Sequence, residues 1–336
     1  MPRTARLDVL GVLQHVMARG IDGYAIFQDE RDRKAFLERL AGVVEWARAD
    51  LLAWCLMSNH FHLLVRPREV LLAPMMRRLM TGYAVWHNRR HGRRGHVFQN
   101  RYKSIVVEEE PYFLELVRYI HLNPVRAGLV ASMEALDEYP YTGHAVLLRS
   151  RELACQNVDE VLRMFGRRMG EARKGYRAFV EAGFSQGRRE ELRGGGLVRS
   201  AGGWKNLLRR KREEREPGDE RILGGGEFVR ELLERAGAPV RRSERDVLHV
   251  LEEVCREHGI GRELVLGRTR RRGVVRAREA FFLRAHEEAG ESFASLGRLC
   301  GMSHTAVRAA IRRARQKREA GTPPPPGRSG AGGNAE

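Results

Sequence analysis

The stretch Met57-Ser58-Asn59-His60-Phe61-His62-Leu63-Leu64-Val65 constrains the fold of this chain more than any other. Two histidines separated by one apolar residue, in a run ending Leu-Leu-Val, match the two-residue period of a β-strand. On that reading His60, His62 and Leu64 share one face, while Phe61, Leu63 and Val65 point the other way into a core. A lone histidine in such a run is most often a satisfied core or edge residue. A pair two apart on one strand face can instead reach a single cation, because neutral imidazole is a ready ligand. Leu51 to Met57 reads as a second strand that turns through Ser58-Asn59 into the histidine strand.

A second constellation lies about sixty residues downstream, between Pro111 and Pro124. Glu108, Glu109 and Glu110 sit where a helix N-terminus favours negative charge, Pro111 suits the first helical position, and Pro124 marks the stop. Phe113, Leu116, Val117 and Ile120 recur at helical spacing and form the expected buried stripe. Glu115, Tyr119 and Asn123 are four apart and line a different, polar face. Taken alone, Tyr119 could equally be a surface tyrosine, and His121 reads as a flanking residue. Between the two constellations runs Arg89-Arg90-His91-Gly92-Arg93-Arg94-Gly95-His96, followed by Val97-Phe98-Gln99-Asn100-Arg101-Tyr102-Lys103. A charge run is more often a solvated loop. Basic residues interleaved with glycine and aromatics, placed here, suit a groove that grips phosphates and stacks unpaired bases, with Arg93, Arg94, Arg101 and Lys103 as contacts.

The rest of the first half is organised around these segments. Gly11 to Arg19 reads as the first strand, with His15 in a structural or DNA-contacting role. Phe27 to Trp46 and Leu71 to His91 carry helical periodicity, the Met75, Met76, Leu79, Met80 and Tyr83 stripe being ordinary packing. Ser104 to Val107 is a further strand. The 336 residues predict two or three domains. Lys and Arg number 61 against 43 Asp and Glu, a net charge of +18 that fits a polyanionic partner. The four cysteines, Cys55, Cys155, Cys255 and Cys300, show no CxxC spacing and suggest neither a zinc knuckle nor a disulfide framework. No run of eighteen apolar residues and no signal-peptide core occur, so the expectation is a cytoplasmic, nucleoid-associated protein with no membrane partner.

His60-Phe61-His62, followed by Arg118-Tyr119-Ile120-His121-Leu122-Asn123-Pro124-Val125-Arg126-Ala127-Gly128, resembles the single-tyrosine HUH transposases, and among them the REP-associated tyrosine transposases. His15-Val16-Met17-Ala18-Arg19-Gly20 and Gly95 to Lys103 are similar to that family too. The likeness covers about residues 1–145. It implies an α+β fold, an RRM-like antiparallel sheet with helices, in which both histidines sit on a central strand. It implies Tyr119 as the nucleophile on single-stranded DNA with hairpin or palindromic ends. It implies His60, His62 and Asn123 as ligands of Mg²⁺ or Mn²⁺, and a homodimer as the working form. The chemistry is coherent: a phenol, with an ordinary pKa of roughly 10, is a weak nucleophile at neutral pH. A neighbouring dication favours the phenolate and polarises a phosphate oxygen. Tyr112 and Tyr102 are the competing nucleophiles.

Residues 146–236 read as a charged helical and linker region, with Val158, Val161, Leu162, Met164 and Phe165 as the best apolar cluster and two triple-glycine runs, at 194–196 and 224–226. From residue 237 to 317 the pattern is all-helical. Ser243-Glu244-Arg245-Asp246 has the shape of a helix start. Ser292 to Arg308 has helix-turn-helix form, with Gly301 at the turn and Ser303 capping a recognition helix. This part is similar to the C-terminal duplex-binding domain of bacterial replication initiators. The likeness implies DNA contacts by Arg271, Arg276, Arg278, Ser303, His304, Thr305 and Arg308. The chain departs from that family at Ser303, where an acidic residue is usual, and at Ala306, where a threonine is. Residues 318–336 read as a disordered tail. Two further classes stay open: a domesticated DNA-binding regulator that no longer transposes, and a hydrolase that uses water in place of Tyr119.

Overall fold

The computed structural model describes residues 6–187, 189, 192, 218–238, 247–289, 291 and 293–320. These fall into two compact units, Met1–Val240 and Arg241–Glu336. The glycines at 194–196, the helix start at Ser243–Asp246 and the tail beyond residue 320 lie outside the described residues.

The first unit runs β1 (Leu13–Arg19), α1 (Glu30–Trp46), β2 (Asp50–Leu56), β3 (His60–Arg66), α2 (Leu72–Arg90), β4 (Lys103–Val107), α3 (Glu109–His121), α4 (Asn123–Arg126), α5 (Met133–Asp137), α6 (Gly143–Leu147), α7 (Val158–Arg163), α8 (Met169–Glu181), β5 (Ile222–Leu223) and α9 (Gly226–Arg235). Helix α1 starts where the Asp29 carboxylate accepts from the Asp32 amide, with Glu30 and Asp32 in the first turn to complement the dipole. The strands form one mixed sheet in the order β2-β3-β1-β4-β5. All pairings are antiparallel except β4 with β5. The histidine strand is therefore internal, flanked by β2 and β1.

Strand alternation splits the core in two. Val16, Ala18, Trp54, Phe61, Leu63 and Val65 pack against Phe36, Leu40 and Val43 of α1 and Met75, Met76, Leu79 and Tyr83 of α2. On the other face Leu13, Cys55, Leu64, Ile105 and Val107 pack against Phe113, Leu116, Val117 and Ile120 of α3. Val161 and Leu162 of α7, and Ala172, Tyr176 and Val180 of α8, join that second core. The segment read from sequence as a charged helical and linker region thus falls in the first unit. Ile222 and Leu223 add the parallel edge strand, and α9 closes over Leu7, Val9, Val12 and Val106. Two apolar residues between charged and glycine-rich flanks are too short a run to register as a strand in sequence.

A buried polar chain links α3 to α6 and α8. The Tyr176 hydroxyl lies 2.7 Å from His121 Nδ1 and 2.8 Å from His144 Nδ1, and His144 Nε2 lies 2.9 Å from the Asp137 carboxylate. The carboxylate only accepts, so neutral His144 carries its proton on Nε2, takes one from Tyr176, and Tyr176 in turn accepts from His121 Nδ1–H. Burial, reinforced by His144, holds His121 well below the usual histidine pKa of 6.5, and burial lowers His144 as well. Below about pH 6.5 the unfolded chain then binds more protons than the folded one, so stability falls as pH falls, by up to about 1.4 kcal/mol per pH unit for each such histidine. Urea unfolding followed by tryptophan fluorescence should show this loss setting in below about pH 6.5, and His121→Asn should make it shallower. A midpoint that stays level down to about pH 5 contradicts the assignment.

The second unit runs α10 (Val247–His258), α11 (Arg262–Leu266), α12 (Arg272–Glu287), α13 (Phe293–Leu299) and α14 (His304–Ala320). Its core is built on α12, which buries Val274, Ala277, Phe281, Phe282 and Leu283, with Val250, Leu251 and Val254 of α10 and Val307 and Ile311 of α14 also buried. Helix α13 ends in a left-handed Gly301 (φ +62°), and the Met302 amide donates to Gly297 O at 2.7 Å. A Cβ at Gly297 would stand 2.6 Å from Met302 O, so the turn requires glycine there. Ser303 Oγ accepts from the Ala306 amide at 3.2 Å and starts α14. That helix runs to Ala320, so the expected tail begins at least three residues later than the sequence suggests. Among the described residues no helix is long and apolar enough to cross a membrane.

Candidate active site

Register brings the expected residues to one place. Opposite β3, Met17 faces His62 and Arg19 faces His60, and on the far side of β1 Met17 faces Lys103. These residues share the sheet face that α3 covers. An open cavity of about 500 Å³ lies there, with His60, His62, Tyr119 and Asn123 in its wall. Arg19, Arg101, Lys103 and Arg126 also line it, and among the described residues its lining holds no carboxylate. The loop before β4 reaches the rim because Ile21 N donates to Val97 O at 3.0 Å and Gln99 N to Arg19 O at 2.9 Å.

Both histidines are oriented by partners behind them. His60 Nδ1 lies 2.7 Å from Asn59 Oδ1, which accepts, so the His60 proton sits on Nδ1 and Nε2 is the lone-pair nitrogen. His62 Nδ1 shares a 2.9 Å hydrogen bond with His15 Nε2, and the two rings stack at 5.2 Å. His15 is fully buried, and burial, with the nearby Lys103 charge, pushes its pKa down to about 3. It therefore holds the His62 ring as a neutral partner. Outer partners that fix the tautomer of paired imidazoles are what a metal-binding pair requires.

Tyr119 is 5% exposed and belongs to the core on the α3 side of the sheet. Its ring lies edge-on to His62 at 6.3 Å and to His15 at 6.1 Å between centroids. The backbone carbonyl of Tyr119 accepts from Asn123 Nδ2 at 3.0 Å and from Arg126 Nη1 at 2.8 Å, and the Arg126 guanidinium stands 4.7 Å from the Tyr119 ring centre. With Nδ2 turned to the helix end, Oδ1 is the ligand atom Asn123 can present.

Two details differ from the sequence reading. The polar face expected for Glu115, Tyr119 and Asn123 does not exist as one face. Helix α3 ends at His121, and Asn123 opens the separate short helix α4. The last turn of α3 is buried nearly all round, because α8 covers the outer side: Arg118 Nη1 donates to Phe179 O at 3.2 Å, and His121 lies inside rather than on a flank. Helix α3 also starts two residues before Pro111, which the first turn tolerates.

The competing tyrosines lie elsewhere. Tyr102 is in the core on the α1 and α2 side, where burial raises its pKa to about 12, under the Arg6 guanidinium at 4.0 Å. Tyr112 is half-buried against α3-side residues and does not line the cavity. Of the expected basic contacts, Arg101 and Lys103 line the cavity, Arg94 is exposed, and Arg93 is stacked 3.6 Å over the Tyr24 ring. In the second unit Arg271, Arg276, Ser303, His304, Thr305 and Arg308 are exposed. Arg278 departs from the expectation. It is 6% exposed and donates to the carbonyls of Val265, Thr269 and Leu264 at 2.7, 3.1 and 3.0 Å, so its guanidinium is buried and satisfies the end of α11. Sequence reasoning also left Arg126 without a role. The signal for it was its place three residues after Asn123, one helical turn on.

Residues 9–123, about a third of the chain, match the family model described as transposase IS200 like. A solved structure described as the REP associates tyrosine transposase bound to a REP hairpin is similar at 14% identity and a TM-score of 0.35, over 47% of this chain and 98% of that one. No curated protein matches the chain.

Proposed function

We propose that the first unit is a metal-dependent DNA strand transferase of the HUH type, from the REP-associated branch and with the RRM-like arrangement its motifs imply. The observation that carries this reading is the meeting of Tyr119, His60, His62 and Asn123 in the wall of one cavity whose other charged residues, among the described ones, are all basic. Tyr119 Oη attacks a phosphorus of single-stranded DNA, the bond to the 3′-oxygen breaks, and that oxygen takes up a proton. The products are a 5′-phosphotyrosine and a free 3′-hydroxyl, and reversal onto a second 3′-hydroxyl rejoins the strand. A divalent ion such as Mg²⁺ or Mn²⁺ on His60, His62 and Asn123 would supply charge stabilisation at the phosphate. Arg19, Arg101 and Lys103 hold the backbone phosphates, and Arg126 fixes the turn that presents the phenol. A single-stranded hairpin substrate, cut at two ends, favours a homodimer acting on the bacterial nucleoid in the cytoplasm.

The test is direct: a labelled single-stranded oligonucleotide with Mn²⁺ should give a covalent protein adduct that chelation prevents. Turnover with no adduct would establish hydrolysis by water instead, and footprinting without cleavage would favour the regulator reading.

The second unit we assign to duplex binding through the α13–α14 helix-turn-helix, with Ser303, His304, Thr305 and Arg308 on its exposed side and Arg271 and Arg276 on α12 and its N-terminal flank. Each phosphate contact contributes about 0.9 to the slope of log affinity against log salt. Arg308→Ala should lower that slope by about one in duplex titrations and leave the single-strand adduct unchanged. An unaltered slope removes Arg308 from the interface.

A further inference from the structure

A second set of ligating side chains stands apart from the cavity, where α1 meets the end of α2. Asp32, in the first turn of α1, faces His87 in the last turn of α2 and His91 just beyond it, and one ligand atom from each lies within 4.8 Å of the others. His87 and His91 are four residues apart, so a helix places them on one face, and their rings are 4.4 Å apart. His87 is fully buried, and neither of its ring nitrogens has a hydrogen-bond partner among the described residues. Buried polar groups are almost always satisfied, and an imidazole left with neither nitrogen bonded calls for a ligand. Asp32 is also fully buried and accepts from the Gln28 amide at 2.8 Å, while His91 Nε2 lies 2.9 Å from its Oδ1. Arg90 shares the Asp32 carboxylate, yet it is held independently by Asp29 through contacts of 2.9 and 2.5 Å. A cation at Asp32 can therefore displace Arg90 without stranding its charge.

We propose that Asp32, His87 and His91 form a transition-metal site, separate from the Tyr119 cavity, for a borderline ion of the Zn²⁺ or Co²⁺ class. Two imidazole nitrogens and one carboxylate oxygen suit such ions, whereas Mg²⁺ and Ca²⁺ take oxygen ligands. The ion ties the start of α1 to the end of α2, from which the Arg93-Arg94 loop departs. That loop is already anchored nearby, since the Tyr24 ring under Arg93 packs edge-on to His87 at 5.9 Å. The site is thus a clamp on the basic loop and takes no part in strand transfer.

The experiment is a Co²⁺ titration of the full untagged chain, read by visible absorption and by elemental analysis after dialysis, in a His60→Ala, His62→Ala background that removes the cavity histidines. The double variant should retain one tightly held equivalent with a nitrogen-ligand spectrum. His87→Gln and His91→Gln in that background should each lose it, with unchanged far-ultraviolet circular dichroism. Half-buried His91 gives the decisive variant should His87→Gln fail to fold. Absence of bound Co²⁺ in the double variant, or its persistence in His91→Gln, overturns the proposal.

Discussion

Tyr119→Phe is expected to abolish the covalent protein–DNA adduct, by at least about a thousandfold, while leaving the fold intact. The substitution removes one hydroxyl and keeps the ring, which is packed in the core on the α3 side of the sheet and stacked under Arg126. The bonds from Asn123 and Arg126 to the residue 119 carbonyl involve only backbone on that side and are retained. No other tyrosine takes over, because Tyr102 is buried on the opposite face of the sheet and Tyr112 does not line the cavity. Binding of the single strand should persist, since Arg19, Arg101 and Lys103 in the cavity wall are untouched. The measurement is adduct formation on a denaturing gel beside an anisotropy titration. An adduct that survives with wild-type yield places the nucleophile on another tyrosine.

The second large effect is on stability. Arg66, at the end of β3, has a side chain only 5% exposed and pairs with three carboxylates: Asp50 of β2 at 3.1 Å, Glu160 of α7 at 2.6 Å, and Glu109 of α3. The acids are more open to solvent than the arginine, which limits what each pair contributes. Arg66→Leu removes the buried cation that joins them and leaves Glu109 and Glu160 facing each other beside a new apolar group, while Asp50 keeps Arg68 at 2.7 Å. The cost of breaking such a buried cluster by one partner is about 3 kcal/mol. Urea unfolding followed by tryptophan fluorescence should shift accordingly. Glu160→Gln in the same background should recover part of the loss, because it relieves repulsion. A loss below about 1 kcal/mol would mean that water screens the cluster as it does a surface pair.

How much of this was legible in the sequence depended on the range over which the determining contacts act. The alternation from His60 to Val65 is a local signal, and the strand with its two faces follows from the pleat alone. So does the turn at Gly301 with its Ser303 cap, both set within a few residues. The family resemblance implied that Tyr119 and the histidines work together, and they line one cavity. The sequence could not reveal His15 as the partner of His62, because that bond joins residues forty-seven apart across two strands. The burial around Tyr119 was misread for a similar reason: the polar appearance of the end of α3 is compensated by α8, about sixty residues later. Arg278 sits in a basic run that looks like a ligand-binding surface, yet its partners are carbonyls nine to fourteen residues before it.

The parallel pairing of β5 with β4 has a bearing on how the chain is made. Strand β4 lies in the stretch that matches the transposase family model, while the segment that covers its outer edge follows more than a hundred residues later. As the polypeptide leaves the ribosome, Val106 and Val107 emerge with donors and acceptors on one side still lacking their strand partner, a template for unwanted pairing until Ile222 and Leu223 arrive. Completion of the sheet in the first unit is therefore tied in time to the onset of synthesis of the helical second unit.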